Sequence, residues 1–118
     1  MSDRIRKITR LIDEMSRILL DNNLSKLDIK VLSNQENTEI VFHHFQNSMS
    51  LERLKTIDET LNKPRRFELE NYYWTLVGET EIDQSLQLVG GMIDKAMIER
   101  SENDVIITII RTNEASNK

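Results

Sequence analysis

The chain has 118 residues, no cysteine and a net charge of −4. These numbers leave room for one domain, 1–118, and not for two. They exclude disulfides, thiolate nucleophiles and thiolate metal sites, and they disfavour non-specific binding to nucleic acid. Hydrophobic residues make up 38% and charged residues 31%, a globular composition.

No apolar run approaches the roughly 20 residues that span a bilayer. The opening Met1-Ser2-Asp3-Arg4 leads into a charged helix and lacks the apolar core of a signal peptide. The expectation is a cytoplasmic protein without a membrane span. Isoleucine (14) far exceeds valine (5), a bias that would suit an AT-rich bacterial genome.

Ile5, Ile8, Ile12, Met15 and Leu19 recur at spacings of 3, 4, 3 and 4, which predicts an amphipathic helix over 3–22. Leu11 and Ile18 widen the stripe, as expected of a helix packed on a sheet. Leu27, Ile29 and Val31 then alternate with Asp28 and Lys30, the pattern of a half-buried strand. Ser33 to Asn37 is polar and turn-like. Ile40 to Phe45 is rich in β-branched and aromatic residues and completes a hairpin.

Ser50 is placed to cap a helix carrying Leu51, Leu54, Ile57 and Leu61, with Met49 and Leu54 at staple positions. Pro64 breaks that helix and suits the start of another. Leu69, Tyr72, Tyr73, Leu76 and Val77 share a face, and Gly78 stops the run. Thr80 and Asp83 resemble a capping box for a helix over 82–98. Ser101 to Asp104 turns the chain into a final strand, Val105 to Ile110. The predicted order is α-β-β-α-α-α-β. This is an α/β layer fold of the α+β type, with a small three-stranded, mostly antiparallel sheet covered by about four helices. The last strand is apolar on both faces, so it should be central or covered on both sides.

Each chemically suggestive cluster has two readings. His43 and His44 are neighbours on a strand and point to opposite faces, so they cannot jointly chelate a metal or form a dyad; a structural or solvent role is the simpler reading. Lys63, Arg65 and Arg66 gather cations at a helix start, where anions bind. They also read as a solvated turn answered by Glu68 and Glu70. Tyr72 and Tyr73 fall on an apolar stripe, whereas Trp74 lies off it and could sit at an interface. Gly90-Gly91 inside a helix costs about 1 kcal/mol per glycine relative to alanine. Close packing could offset that cost, as could a ligand crossing the helix. There is no phosphate loop, nucleophile elbow or dinucleotide fingerprint. No metal and no cofactor is expected.

The stretch Ile82-Asp83-Gln84-Ser85-Leu86-Gln87-Leu88-Val89-Gly90-Gly91-Met92-Ile93-Asp94-Lys95-Ala96, with Val105 to Ile109 after it, resembles part of a sensor histidine kinase ATPase domain. That family reads roughly Leu-x-Gln-x-Leu-x-Asn-Leu-Leu-x-Asn-Ala before an apolar strand. The spacing of Leu, Ile-Asp and Ala agrees. Gly91 and Lys95 stand where the family has the two asparagines that serve Mg²⁺-ATP, and no Asp-x-Gly-x-Gly box follows Ile110. Asn62-Lys63-Pro64-Arg65 through Tyr72-Tyr73-Trp74 and Gly78-Glu79 is similar to small bacterial chains classed as sensor histidine kinase domains. The resemblance implies a two-component signalling context without the residues of a kinase.

Two functions are expected on these grounds. The first is a non-catalytic regulatory module acting through protein–protein interaction, as a homodimer with Ile5, Ile8, Ile12, Met15, Leu19 and Trp74 at or near the interface. The second is a small-molecule or nucleotide-binding domain using the basic turn 63–66 and the Gly90-Gly91 helix. An enzyme with its site scattered over ordinary residues is a third option.

Overall fold

A computed structural model describes residues 3–20, 26–68 and 82–113. Tyr72, Tyr73, Trp74 and the Thr80 cap lie outside these residues. The described chain runs α1 (Asp3–Leu19), β1 (Leu27–Ser33), β2 (Asn37–His44), α2 (Leu51–Leu61), α3 (Ile82–Met92), β3 (Lys95–Ser101) and β4 (Asp104–Thr112). The four strands form one antiparallel sheet in the order β1-β2-β4-β3.

Local signals build the first half. The β1–β2 turn is held by Asn34, whose Oδ1 accepts the N–H groups of Glu36 and Asn37, both at 2.8 Å. Ser50 caps α2, its Oγ accepting the Arg53 N–H at 3.0 Å. Asn62 ends the helix, its backbone N–H turned back to the Asp58 carbonyl.

Two parts of the expected architecture are corrected. The sheet has four strands and not three, and the described residues hold three helices in an α+β arrangement where about four were expected; the helix expected over Leu69 to Val77 lies outside the described residues. The reason lies at 93–101. Ile93 and Met97 are four apart and continue the helical stripe of Ile82, Leu86 and Val89, so 82–98 reads as one helix. In the fold the helix ends at Met92. The Asp94 N–H bonds to the Ile110 carbonyl, and Lys95 to Ser101 pairs with β4. Glu102-Asn103 closes that hairpin with Glu102 at φ 56°. The turn falls where the sequence places it, at Ser101 to Asp104; the strand before it is what the helical stripe concealed.

The helices cover one sheet face. Ile40 and Phe42 of β2, Ala96 of β3, and Val105, Ile107 and Ile109 of β4 are buried there with Leu54, Ile57, Leu61, Leu86, Val89 and Met92. Strand β4 is central, as its composition requires. On its other face Ile106, Thr108 and Ile110 are half-buried.

Helix α1 contributes Leu11, Met15, Ile18 and Leu19, each worth about 1.5–3 kcal/mol of burial. Lys7 and Glu14 share that inward side, at 2% and 1% exposure. Glu14 accepts the Ser85 hydroxyl at 2.6 Å, and Arg10 Nε lies 2.9 Å from its other oxygen. This polar link fastens α1 to α3.

Candidate functional site

Three places were singled out by residue type, and the fold separates their roles. The first is the basic turn. Arg65 is tied into the fold, because its guanidinium donates to the Thr112 carbonyl at 2.9 Å and to Asp94 Oδ2 at 3.3 Å. The same group lies over the Phe67 ring at 4.2 Å. With a side chain only 3% exposed, Arg65 fastens the turn to the ends of α3 and β4. Lys63 and Arg66 remain at the surface. They line a small cleft of about 120 Å³ with Thr60, Pro64, Gln87, Gly90 and Gly91. The basic turn and the glycine pair, far apart in sequence, thus meet.

Packing explains Gly90. A Cβ there would sit 2.5 Å from the Thr60 carbonyl oxygen of α2. The Gly91 carbonyl accepts the Arg66 N–H at 2.8 Å, stitching the turn to the last turn of α3. Arg66 Nε lies 3.6 Å from Glu68, both side chains being more than half exposed. Among the described residues, the charged side chains that line the cleft, Lys63 and Arg66, are exposed.

The second place is the histidine pair. His43 stands on the open sheet face, its Nε2 2.9 Å from Asp104 Oδ2, with its ring stacked on Phe45 at 3.9 Å. His44 points into the core, 1% exposed. The Asn47 side-chain amide donates to His44 Nδ1 at 3.0 Å, while its Oδ1 accepts the Met49 N–H. That donor fixes a neutral ring, with the proton on Nε2. Desolvation holds the His44 pKa below its ordinary value, against an opposing pull from Asp104. Asp104 is held below the usual carboxylate range, chiefly by its bond to His43 and then by the Gln46 N–H. Among the described residues, no group of three or more His, Asp or Glu side chains could hold a metal.

The third place is α1. Met15 and Leu19 are core residues, whereas Ile5 is 50% exposed and Ile8 and Ile12 are half-buried. Sequence could not choose between the two apolar edges of this helix. The inward one is Leu11-Met15-Ile18, and Ile5-Ile8-Ile12 forms an outer flank. Lys7, Arg10 and Glu14 are engaged in the fold, so they are not available to answer charges on a partner.

Strand β1 was not singled out, and it is the most exposed strand. Ile29, Val31 and Leu32 are 39%, 40% and 56% exposed. Helix α2 packs on β3 and α3, and α3 packs on α1. The helix layer therefore runs α2-α3-α1 over β3-β4-β2, and α1 is the helix nearest β1. Glu14 touches α3, and Ile12 lies about 160° further round at 100° per residue. The Ile5-Ile8-Ile12 flank accordingly faces away from α3, on the β1 side of the helix layer. The signal in sequence was Leu32, which breaks the alternation and puts an apolar side chain on the face that also carries Asp28 and Lys30.

No family model, no curated protein and no solved structure matches the chain. Among the described residues, no helix is long and apolar enough to cross a membrane.

Proposed function

We propose that the chain is a non-catalytic regulatory module that works by binding protein through β1 and the outer flank of α1, in the two-component signalling context that the kinase-domain resemblance implies. Its place is the cytoplasm, and it needs no cofactor. The observation that supports this reading is the exposure of β1. An edge strand with apolar side chains on both faces costs solubility unless something pairs with it. Sheets commonly capture partners by adding a strand at such an edge. A photo-crosslinking residue in place of Leu32 should trap a discrete protein adduct in cells. The same residue in place of Glu59, exposed on α2, should not. Adducts from neither position, or equally from both, overturn the reading.

The second reading, an anion or nucleotide site, is favoured by the meeting of Lys63, Arg66, Gln87, Gly90 and Gly91 around one cleft. A ligand that binds the native state raises its melting temperature by mass action. Inorganic phosphate, ADP and ATP should leave the melting temperature unchanged if the first reading holds. A saturable rise that disappears in Lys63→Ala/Arg66→Ala would establish the second. Arg65 is left intact in that variant, because its loss would unfasten the turn itself.

A further inference from the structure

We infer that the occupant of the β1 edge is a second copy of this chain, paired antiparallel in one register with Ile29 on the two-fold axis. The inference rests on the reading of this face as a protein-binding surface.

The backbone sets which residues can pair. The Lys26 carbonyl accepts the Phe45 N–H, and the Asn34 N–H reaches the Asn37 carbonyl. The register between β1 and β2 is unbroken from Leu27–His44 to Ser33–Thr38. Residues 26, 28, 30, 32 and 34 therefore turn their N–H and C=O groups toward β2. Leu27, Ile29, Val31 and Ser33 turn theirs outward. A two-fold contact along this edge must place outward residues opposite one another, which leaves three central registers.

With the axis between Ile29 and Val31, Lys30 faces Lys30 of the other copy, and like charges directly opposite repel. With the axis at Val31, Lys30 faces an apolar Leu32 and Asp28 gains no cation. With the axis at Ile29, Asp28 faces the other copy's Lys30 twice over. These are non-hydrogen-bonded pairs, in which opposed side chains come closest. Both residues are exposed on the open sheet face, and among the described residues Asp28 is otherwise met only by an exposed Lys26 at 4.0 Å.

The same register is apolar on the helix side. Leu27 meets Val31 of the other copy, Ile29 meets Ile29, and Val31 meets Leu27. The two-fold axis then brings the Ile5-Ile8-Ile12 flanks of two antiparallel α1 helices together above those residues. The contact has two layers, a continuous sheet below and a helix pair above, and is isologous as a closed dimer requires.

The test is light scattering on the full chain at micromolar concentration, with Asp28→Lys, Lys30→Asp and the double variant. The wild type should be a dimer. Each single variant should dimerise about thirtyfold more weakly, because two symmetry-related pairs change from attraction to repulsion. The double variant should recover the wild-type affinity, and so should an equimolar mixture of the two single variants. These positions are exposed, and an unchanged circular dichroism spectrum shows that the variants fold. A monomeric wild type overturns the second copy as occupant, and a crosslink from position 32 to a different protein would then leave the interaction reading standing. A wild-type dimer indifferent to the charge changes overturns this register.

Discussion

Replacing Gly90 with alanine sets two effects of known sign against each other. In an exposed helix the change would stabilise by about 1 kcal/mol through propensity. Here the new Cβ would lie 2.5 Å from the Thr60 oxygen, 3.3 Å from Leu61 Cα and 3.4 Å from the Thr60 carbonyl carbon. All three atoms are backbone, so no side chain can swing aside. Relief requires α2 and α3 to separate by roughly 0.8 Å, given ordinary contact distances. Overpacking of this size costs about 1–3 kcal/mol. The clash outweighs the propensity gain, with a net loss of about 1 kcal/mol, or roughly 4 °C in melting temperature for a domain of this size. Gly90→Val enlarges the clash and forgoes the propensity gain, so it should cost about 3 kcal/mol. Thermal and urea melts of both variants provide the measurement. A Gly90→Ala protein that melts higher than wild type would refute the packing account and return the glycine to the ligand reading.

Asn62→Ala should cost about 2 kcal/mol in urea melts, since it removes two side-chain hydrogen bonds to the Ala96 backbone and the side-chain amide's donation to the Asp58 carbonyl at the end of α2. His44 should make stability depend on acid. Its folded pKa lies below the unfolded value of about 6.5, so the unfolded chain takes up the proton first. The contribution is therefore full above that value and is lost as pH falls through the folded pKa. Melting temperature should decline as pH falls below about 6.5, and His44→Gln should flatten that decline; an unchanged slope would exclude His44 as its source. Incubation with labelled Mg²⁺-ATP should give no hydrolysis and no label on the chain, and label retained on His43 or His44 would reverse the non-catalytic reading.

What the sequence discloses follows from the range of the forces involved. The β1–β2 hairpin and the Ser50 cap depend on residues a few positions apart, and both are legible. Strand β3 is not. Lys95 to Ser101 fits a helical and an alternating pattern about equally; the pairing with β4 decides between them, and Asn62, 34 residues away, braces Ala96 on the other side. The inward face of α1 was hidden for a similar reason. Lys7 and Glu14 carry charges, yet both are buried against the rest of the fold. The basic turn and the glycine pair were each visible, but their meeting in one cleft is a property of the α2–α3 crossing.

The Asn62 amide has a consequence for how many partners the sheet can hold. Its Oδ1 accepts the Ala96 N–H at 2.9 Å and its Nδ2 donates to the Ala96 carbonyl at 3.1 Å, so one side chain stands where a neighbouring strand would. A sheet with two bare margins is bifunctional, and bifunctional units grow into filaments. At the β3 margin Asn62 already holds both backbone groups of Ala96, so a strand arriving there finds that rung taken. The β1 margin has no such plug among the described residues, and the two edges of one sheet are therefore unequal as places for addition.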